Sequence, residues 1–250
     1  MKNFDPVNAM AVEFQAAFST FLARPSVARL VCGEATLKEY GSFMRQVFHQ
    51  TRENPQTQAH ATLFFRGKQR ECVRGFLKHA LAEVDHDELA RIDLRHLGVP
   101  MSELADDIPF ERALPETIAL SAYIFHQIQH VSPLCYVGFM YFLEFMPTTV
   151  GEGATAALDH MGVPENCRSF IQDHVTIDMA HTKLMDNYLT QMVRNEDELA
   201  IVAGAMRDTA TLYGHMIDAA FDSSSSCELR GEARAEFEPS GVREQEVEFA

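Results

Sequence analysis

Apolar residues recur at intervals of three and four along most of the chain. This spacing places apolar side chains on one face of an α-helix. No run alternates apolar and polar residues between turn signals, so we predict no strands. The expected fold class is therefore all-α, with several helices packed as a bundle.

Prolines, glycines and polar caps divide this pattern into predicted helices. The residue before a proline avoids the helical region, and Gly often follows the last helical residue. We expect Ser132 and Asn195 to be N-caps. The predicted helices cover about residues 7–22, 35–52, 56–65, 69–97, 116–130, 133–146, 151–160, 165–194 and 196–221, with a connector at 99–115.

The pattern changes after Asp222. Residues 223–226 are serines, and the remaining residues are rich in Glu and Arg with few large apolar side chains. Such a composition buries too little apolar surface to offset the entropy lost on ordering. We therefore predict one helical domain over residues 1–222 and a disordered acidic tail over 223–250.

Charge and composition exclude several classes of function. The 250 residues include 36 acidic and 21 basic side chains, which gives a formal net charge of −15. A surface this acidic repels phosphate backbones and anionic lipid, so we expect no nucleic-acid or membrane binding. No apolar run reaches the ~20 residues of a membrane helix, and no secretory signal is visible at the N-terminus. The five cysteines are scattered and form no CxxC pair, which is typical of reduced thiols and predicts a cytoplasmic protein.

One predicted helix carries a stripe of metal-type residues. His174, Asp178 and His181 are spaced i, i+4 and i+7, so their side chains project from one face over two turns. Two imidazoles and a carboxylate in this arrangement suit a divalent transition metal. The alternative is a solvated helix face that carries ordinary polar residues.

The predicted helix over 69–97 carries a second stripe. Glu83 and His86 have the Glu-x-x-His spacing with which bundle di-iron sites place a carboxylate and an imidazole on one metal. His79 extends the stripe and repeats the spacing of the later helix. This helix is highly charged, so the alternative is an exposed polar face.

A single acid stands out in the most apolar helix. Glu144 follows the segment PLCYVGFMYFL, which is apolar on nearly all sides and therefore deeply buried. An ionised carboxylate there is costly unless a cation compensates it. The alternatives are a Glu that reaches solvent at the helix end or one that pairs with an Arg.

Together these helices offer three carboxylates and three imidazoles. Six such groups are more ligands than one metal ion needs, whereas two first-row metal ions bridged by a carboxylate could use all six. Oxygen and nitrogen ligands favour iron or manganese over metals that prefer thiolates.

This pattern resembles the haem-oxygenase-like di-iron oxidases, which share a helical fold with haem oxygenase and the TenA thiaminases. The resemblance runs from about Phe48 to Leu189. It rests on the motifs FHQTRENPQ (48–56), HALAEVDHDELARIDLRHLG (79–98), GFMYFLEF (138–145) and HVTIDMAH (174–181). Many relatives have two adjacent acids before the metal-binding histidine, whereas Ala82 replaces the first of them here.

The resemblance implies a haem-oxygenase-like bundle with two Fe(II) ions per chain and no organic cofactor. The ligands that it implies are Glu83, His86, Glu144, His174, Asp178 and His181. It implies that O2 is a co-substrate in the oxidation of a small molecule, by N-oxygenation, oxidative C–C cleavage or desaturation of an amino-acid-, amine- or fatty-acid-like substrate. The fold is compatible with a homodimer.

Two other classes of function stay open. One is a metal-free TenA-like hydrolase or cofactorless oxidase on the same fold, and the other is a non-enzymatic haem-binding protein. A hydrolase would need a nucleophile such as Cys135, but that residue lies in an apolar helix without a basic neighbour to lower its pKa. Whether His49 or His79 contributes to the site also stays open.

Overall fold

The structure is a computed structural model that describes residues 4–100, 104, 113–151, 153–226 and 229. For residues 175–182 it describes the helical backbone alone. All regular structure in these ranges is helical, with no strand, which confirms the all-α prediction. No helix in the same part of the chain is both long enough and apolar enough to cross a membrane.

Eleven α-helices occupy the described residues. Their bounds are α1 Pro6–Leu22, α2 Pro25–Val31, α3 Leu37–Thr51, α4 Asn54–Ala61, α5 Arg70–Ala82, α6 His86–His96, α7 Pro115–His130, α8 Cys135–Val150, α9 Gly153–His160, α10 Ser169–Met192 and α11 Glu196–Asp222.

Side chains cap several helices at their N-termini. Asp5 accepts a hydrogen bond from the Asn8 backbone N–H at the start of α1, and Thr36 forms a capping box with Glu39 at the start of α3. Asn195 accepts from the backbone N–H of Glu198 and caps α11 as predicted. Each cap supplies an acceptor for an N–H group that has no partner within its helix.

Helix α8 lies in the centre of the bundle, between α10 and α11. Helix α11 also packs on α1, α3 and α7, while α6 packs on α3 and α10, and α5 packs on α4. Gly138 lets α8 and α11 approach closely, because a Cβ at this position would lie 2.1 Å from the carbonyl oxygen of Val202. No other amino acid fits there without moving one backbone away from the other.

The prediction of one continuous helix over 69–97 is wrong. Helix α5 ends at Ala82, and α6 begins at His86. The break lies at Asp85, whose backbone is left-handed with φ 74°. Asp is one of the few residues that adopt this conformation at small cost. The residues between the two helices, 83–85, include no proline or glycine that would have predicted the turn.

Several helix ends also differ from the prediction. The chain re-enters a helix at Pro25, because proline suits the first position of α2. Helix α8 begins at Cys135 rather than Pro133 and continues through Pro147 to Val150. The predicted helix over 56–65 is α4 followed by a 3-10 turn at Thr62–Phe65. A second 3-10 turn, Glu165–Cys167, precedes α10.

Parts of two predictions lie outside the described residues. The connector at 99–115 falls on a stretch of which 101–103 and 105–112 are not described. In the predicted tail, Ser224–Ser226 form a 3-10 turn and the half-buried Leu229 packs against the core. The other residues beyond 226 are outside the structure's description.

Candidate metal centre

A cavity of about 160 Å³ lies beside α8. Its walls come from α2, α3, α4, α8, α9 and α10, and its polar end reaches α5. Most of its wall is apolar, and the polar residues that line it include Gln50, Thr51, Asn54, Gln58, His79, Glu83, Glu144 and His174. The cavity therefore combines a group of polar side chains with a largely apolar wall.

Three side chains converge at the polar end. His79 near the end of α5, Glu83 just after it and Glu144 on α8 each offer a ligand atom within 4.8 Å of the other two. The Nε2 atom of His79 lies 3.4 Å from Oε1 of Glu83 and 3.5 Å from Oε1 of Glu144. All three residues are at most 9% exposed. This is a cluster of nitrogen and oxygen donors withdrawn from solvent.

A second group of donors adjoins the first. The Nδ1 atom of His86 lies 3.1 Å from Oε2 of Glu83. The rings of His86 and His174 meet edge to face, with centroids 5.1 Å apart. The two oxygens of Glu83 therefore face two different imidazoles, His79 and His86. A carboxylate placed in this way lies between two potential metal positions.

The break between α5 and α6 lies within this group of donors. On a continuous helix, Glu83 and His86 would project in nearly the same direction. The left-handed turn at Asp85 instead puts Glu83 at the C-cap of α5 and His86 at the first position of α6. One carboxylate can then contact a histidine on each helix.

The hydrogen bond of His174 determines which ring nitrogen faces the site. Nδ1 of His174 lies 2.7 Å from the carbonyl oxygen of Phe170. A carbonyl oxygen only accepts, so Nδ1 carries the proton and Nε2 of the neutral ring is available as a ligand. The ring also stacks on Phe170, with centroids 4.0 Å apart. Contacts of this kind fix the orientation of a metal-binding histidine.

Asp93 ties the two histidine-bearing helices together. This fully buried residue on α6 accepts hydrogen bonds from the backbone N–H of Ser169 at 3.0 Å and of Phe170 at 2.8 Å. The Ser169 hydroxyl donates to it as well, at 2.6 Å. These groups form the N-terminus of α10, where the helix dipole favours a negative charge. The bond fixes the start of α10 one turn before His174.

The electrostatics of the cavity favour a bound cation. Glu83 and Glu144 are both nearly buried, and the described residues that line the cavity include no Lys or Arg. Burial, together with the charges of Glu83 and Glu144, raises the pKa of the neighbouring Tyr136 well above its usual value. A pair of carboxylates in such surroundings is stabilised by a metal ion, and imidazole with carboxylate suits iron or manganese.

The structure brings four of the six predicted ligands together, namely Glu83, His86, Glu144 and His174. The side chains of Asp178 and His181 are outside the described residues, although α10 passes through both positions. His79 joins the cluster, and its spacing from Glu83 in the sequence was the signal that pointed to it. His49 is buried but is not among the residues that line the cavity.

Solved structures of haem-oxygenase-like proteins share this fold. A domain of unknown function with a haem-oxygenase-like fold from Shewanella denitrificans is 19% identical over 92% of this chain and 96% of its own, with a TM-score of 0.75. A TenA homologue from Pseudomonas syringae pathovar tomato is 11% identical over 86% and 92%, with a TM-score of 0.70. A TenA homologue from P. horikoshii is 10% identical over 88% and 99%, with a TM-score of 0.68. The class of fold predicted from the motifs is thereby confirmed.

The sequence identifies the family to which the chain belongs. Residues 42–213 match the family model described as iron-containing redox enzyme, and the chain belongs to that family. The matched segment contains all the candidate ligands. A comparison with curated protein sequences finds no match.

Proposed function

We propose that this chain is a non-haem di-iron enzyme that uses O2 to oxidise a small molecule with an apolar body. The observation that carries the proposal is the convergence of five buried or half-buried donors, from α5, α6, α8 and α10, at one end of an apolar cavity. Membership of an iron-containing redox family supports iron as the metal.

The donors divide into two groups around Glu83. His79 faces one of its oxygens and also lies near Glu144, whereas His86 faces the other oxygen, with His174 beside it. We assign these two groups, which share Glu83, to the residues that would hold two iron ions. The resemblance of the sequence assigns Asp178 and His181, one and two turns further along α10, to the same site. Two bound ferrous ions would supply the electrons and the coordination positions that activation of O2 requires.

The protein's own residues would hold and shield the substrate. Phe139, Met140, Leu143 and Met146 of α8 form an apolar wall that leads away from the donors. Apolar walls exclude water and strengthen the electrostatic interactions at the polar end. Tyr136 stays protonated because its pKa is strongly raised, and its hydroxyl donates to the carbonyl oxygen of Asn54 at 3.2 Å.

A stripe of amides also lines the cavity. Gln50, Asn54 and Gln58 line the cavity at intervals of four residues, and Nε2 of Gln50 donates to Oδ1 of Asn54 at 2.8 Å. Amides hydrogen-bond polar substrate groups without requiring a particular charge. The described lining offers no fixed cation for a substrate anion, so a substrate carboxylate would be neutralised at the metal end. We propose an amine-, amino-acid- or fatty-acid-like substrate on these grounds.

A metal-free hydrolase is the second candidate, and two TenA homologues among the similar structures favour it. Such an enzyme needs an activated nucleophile in its cavity. Burial raises the pKa of the Cys135 thiol to about 11, and the described lining of the cavity includes no cysteine. A thiol with a raised pKa is mostly protonated at neutral pH and is a poor nucleophile. These facts weigh against hydrolysis through Cys135.

The test is O2 uptake after anaerobic loading with Fe(II), measured against a panel of amino acids, amines and fatty acids. We expect one substrate class to stimulate uptake, and protein loaded with redox-inactive Zn(II) to show none. Substrate-dependent uptake in protein without metal would instead establish a cofactorless oxidase. A Soret band in the purified protein would establish a haem protein.

A further inference from the structure

A buried amide contacts His79 on the side away from the carboxylates. Gln58 on α4 is 0% exposed, and its Nε2 lies 3.0 Å from Nδ1 of His79. The same Nε2 lies 3.2 Å from the sulfur of Met140. An amide nitrogen only donates, so Nδ1 of His79 is the acceptor. The proton of a neutral His79 is then on Nε2, which faces Glu83 and Glu144.

This tautomer turns the Nε2–H of His79 towards Glu83 and Glu144, but it cannot bind a metal through Nε2. A histidine binds a metal through a nitrogen lone pair, and its other nitrogen must then carry the proton. For Nε2 to become a ligand, Nδ1 must become a donor and must face an acceptor. His174 has such an acceptor in the carbonyl oxygen of Phe170. His79 faces an N–H donor in the same position.

The amide of Gln58 carries the required acceptor at its other end. Its Oε1 is buried and has no hydrogen-bond partner among the described residues. Nitrogen and oxygen of an amide have nearly the same size, so half a turn exchanges them within the same space. The exchange gives up one contact with a thioether sulfur, which is a weak acceptor. His79 is therefore the group that decides the orientation of the amide.

We propose that Gln58 is the positioning residue of His79, and that its amide turns over when metal binds. In the metal-free site Gln58 donates to Nδ1, and Nε2–H faces the two carboxylates. In the metal-bound site Oε1 of Gln58 accepts from Nδ1–H, and the lone pair of Nε2 is free for the metal. His79 loses one proton at Nε2 and gains one at Nδ1, so its charge is unchanged. This inference rests on the proposed function, since it requires a metal at His79.

Two substitutions separate this role from simple packing. Gln58→Met fills a similar volume but offers Nδ1–H only a weakly accepting sulfur, so metal affinity should fall about 10- to 100-fold, as for other partners of metal-binding histidines. Gln58→Glu provides an acceptor at both ends, so the variant should bind metal at least as tightly as wild type. A packing role predicts the opposite order, because a buried carboxylate is a worse core residue than methionine.

Gln46 on α3 provides the matched control. It is also a buried glutamine, at 3% exposure, and its Oε1 accepts from the backbone N–H of Leu114 and the hydroxyl of Thr117. It is not among the residues that line the cavity. Gln46→Met should lower stability and leave metal affinity within about twofold of wild type.

The experiment is an anaerobic Co(II) titration against a competing chelator, combined with ¹⁵N-histidine NMR of the metal-free and Zn(II)-loaded protein. A His79→Gln variant assigns the His79 signals. We expect affinities in the order Gln58→Glu, wild type, Gln58→Met, and a His79 proton that moves from Nε2 to Nδ1 on loading. The inference would be overturned, and the proposed function left standing, by any of three results. These are equal affinities, a Gln58→Glu variant that binds more weakly than Gln58→Met, or the same His79 tautomer in both states. A wild-type protein that binds no Co(II) would overturn the proposed function with it.

Discussion

The two faces of α8 differ in how closely they are packed. Towards α11 the helix packs so closely that Gly138 leaves no room for a methyl group. Towards α3, α4 and α9 the same helix borders a cavity and carries Glu144 at its edge. Close packing holds a helix in one position, whereas a cavity forfeits contacts that would stabilise the fold. The packed face therefore fixes the backbone from which the cavity face presents its candidate ligand.

Removing the Glu144 carboxylate from the cavity face should reduce iron binding and abolish activity. Glu144→Ala should lower the iron content from about two per chain to about one or less and abolish Fe(II)-dependent O2 uptake, because each buried metal loses charge compensation. Glu144→Gln should behave nearly as badly, since it keeps the volume and loses the charge. Iron assays and an oxygen electrode measure both effects.

Glu88 on α6 is the control for this prediction. Its carboxylate is partly exposed and pairs with Arg91, whose Nη2 donates to Oε1 of Glu88 at 2.7 Å. Glu88→Ala should keep the iron and the O2 uptake of wild type. Normal iron content in Glu144→Ala, or its loss in Glu88→Ala, would show that the ligand assignment is wrong.

The packed face should lose stability when a methyl group is added. Gly138→Ala should lower the free energy of unfolding by about 3 kcal/mol, because the new Cβ meets backbone that cannot rotate away. Gly204→Ala on α11 is the matched control. A Cβ there meets nothing within 4 Å, so this variant should gain about 0.5–1 kcal/mol from the higher helix propensity of alanine. Urea denaturation of both variants gives the difference, and equal stabilities would mean that the helices do not approach as closely as described.

The buried His49 on α3 should make the stability of the protein depend on pH. Burial, with smaller effects of Arg52 and Arg45, lowers the pKa of His49 on α3 to about 4. The unfolded chain protonates this histidine near its ordinary pKa, so stability is fully present above about pH 6.5 and falls as the pH drops towards 4. Between pH 7.5 and 5 His49 should account for a loss of about 2 kcal/mol.

His49→Gln tests this contribution, because glutamine does not titrate. Urea denaturation at the two pH values should show a smaller loss of stability in the variant than in wild type. The same loss in both proteins would mean that other groups cause the acid sensitivity.

The smallest effect is expected from removal of the predicted tail. A chain that ends at Asp222 should bind iron like the full chain, because the candidate ligands all precede that residue. It should lose at most about 1 kcal/mol of stability, from the half-buried Leu229 and the contact between the hydroxyls of Ser42 and Ser223. Iron content and thermal denaturation of the truncated protein provide the check. Loss of iron would show that the tail supports the site.

The positions of the helices followed from the sequence, but the turn at Asp85 did not. Apolar periodicity and caps such as Asn195 predicted where most helices lie, because both depend on residues close in the chain. The break between α5 and α6 occurs in a charged stretch where no proline or glycine interrupts the pattern. The helical propensity of that stretch favoured continuity, and packing of α6 on α3 and α10 overrode it.

The residue types of the candidate site were also visible in the sequence, whereas their grouping was not. Glu144 stood out as the one acid in an apolar helix, and the structure places it 8% exposed at the edge of the cavity. The contact of Gln58 with His79 joins residues that are 21 positions apart on helices α4 and α5. No spacing rule predicts such a contact, because it depends on how two helices cross.

The di-iron assignment is tested by the number of iron ions per chain after anaerobic loading with Fe(II) and removal of excess metal, measured together with the visible spectrum. We expect about two irons, no Soret band, and a fall to about one or less in Glu144→Ala. A wild-type protein that holds no iron, or one that holds it in a haem with a Soret band, would show that the di-iron assignment is wrong.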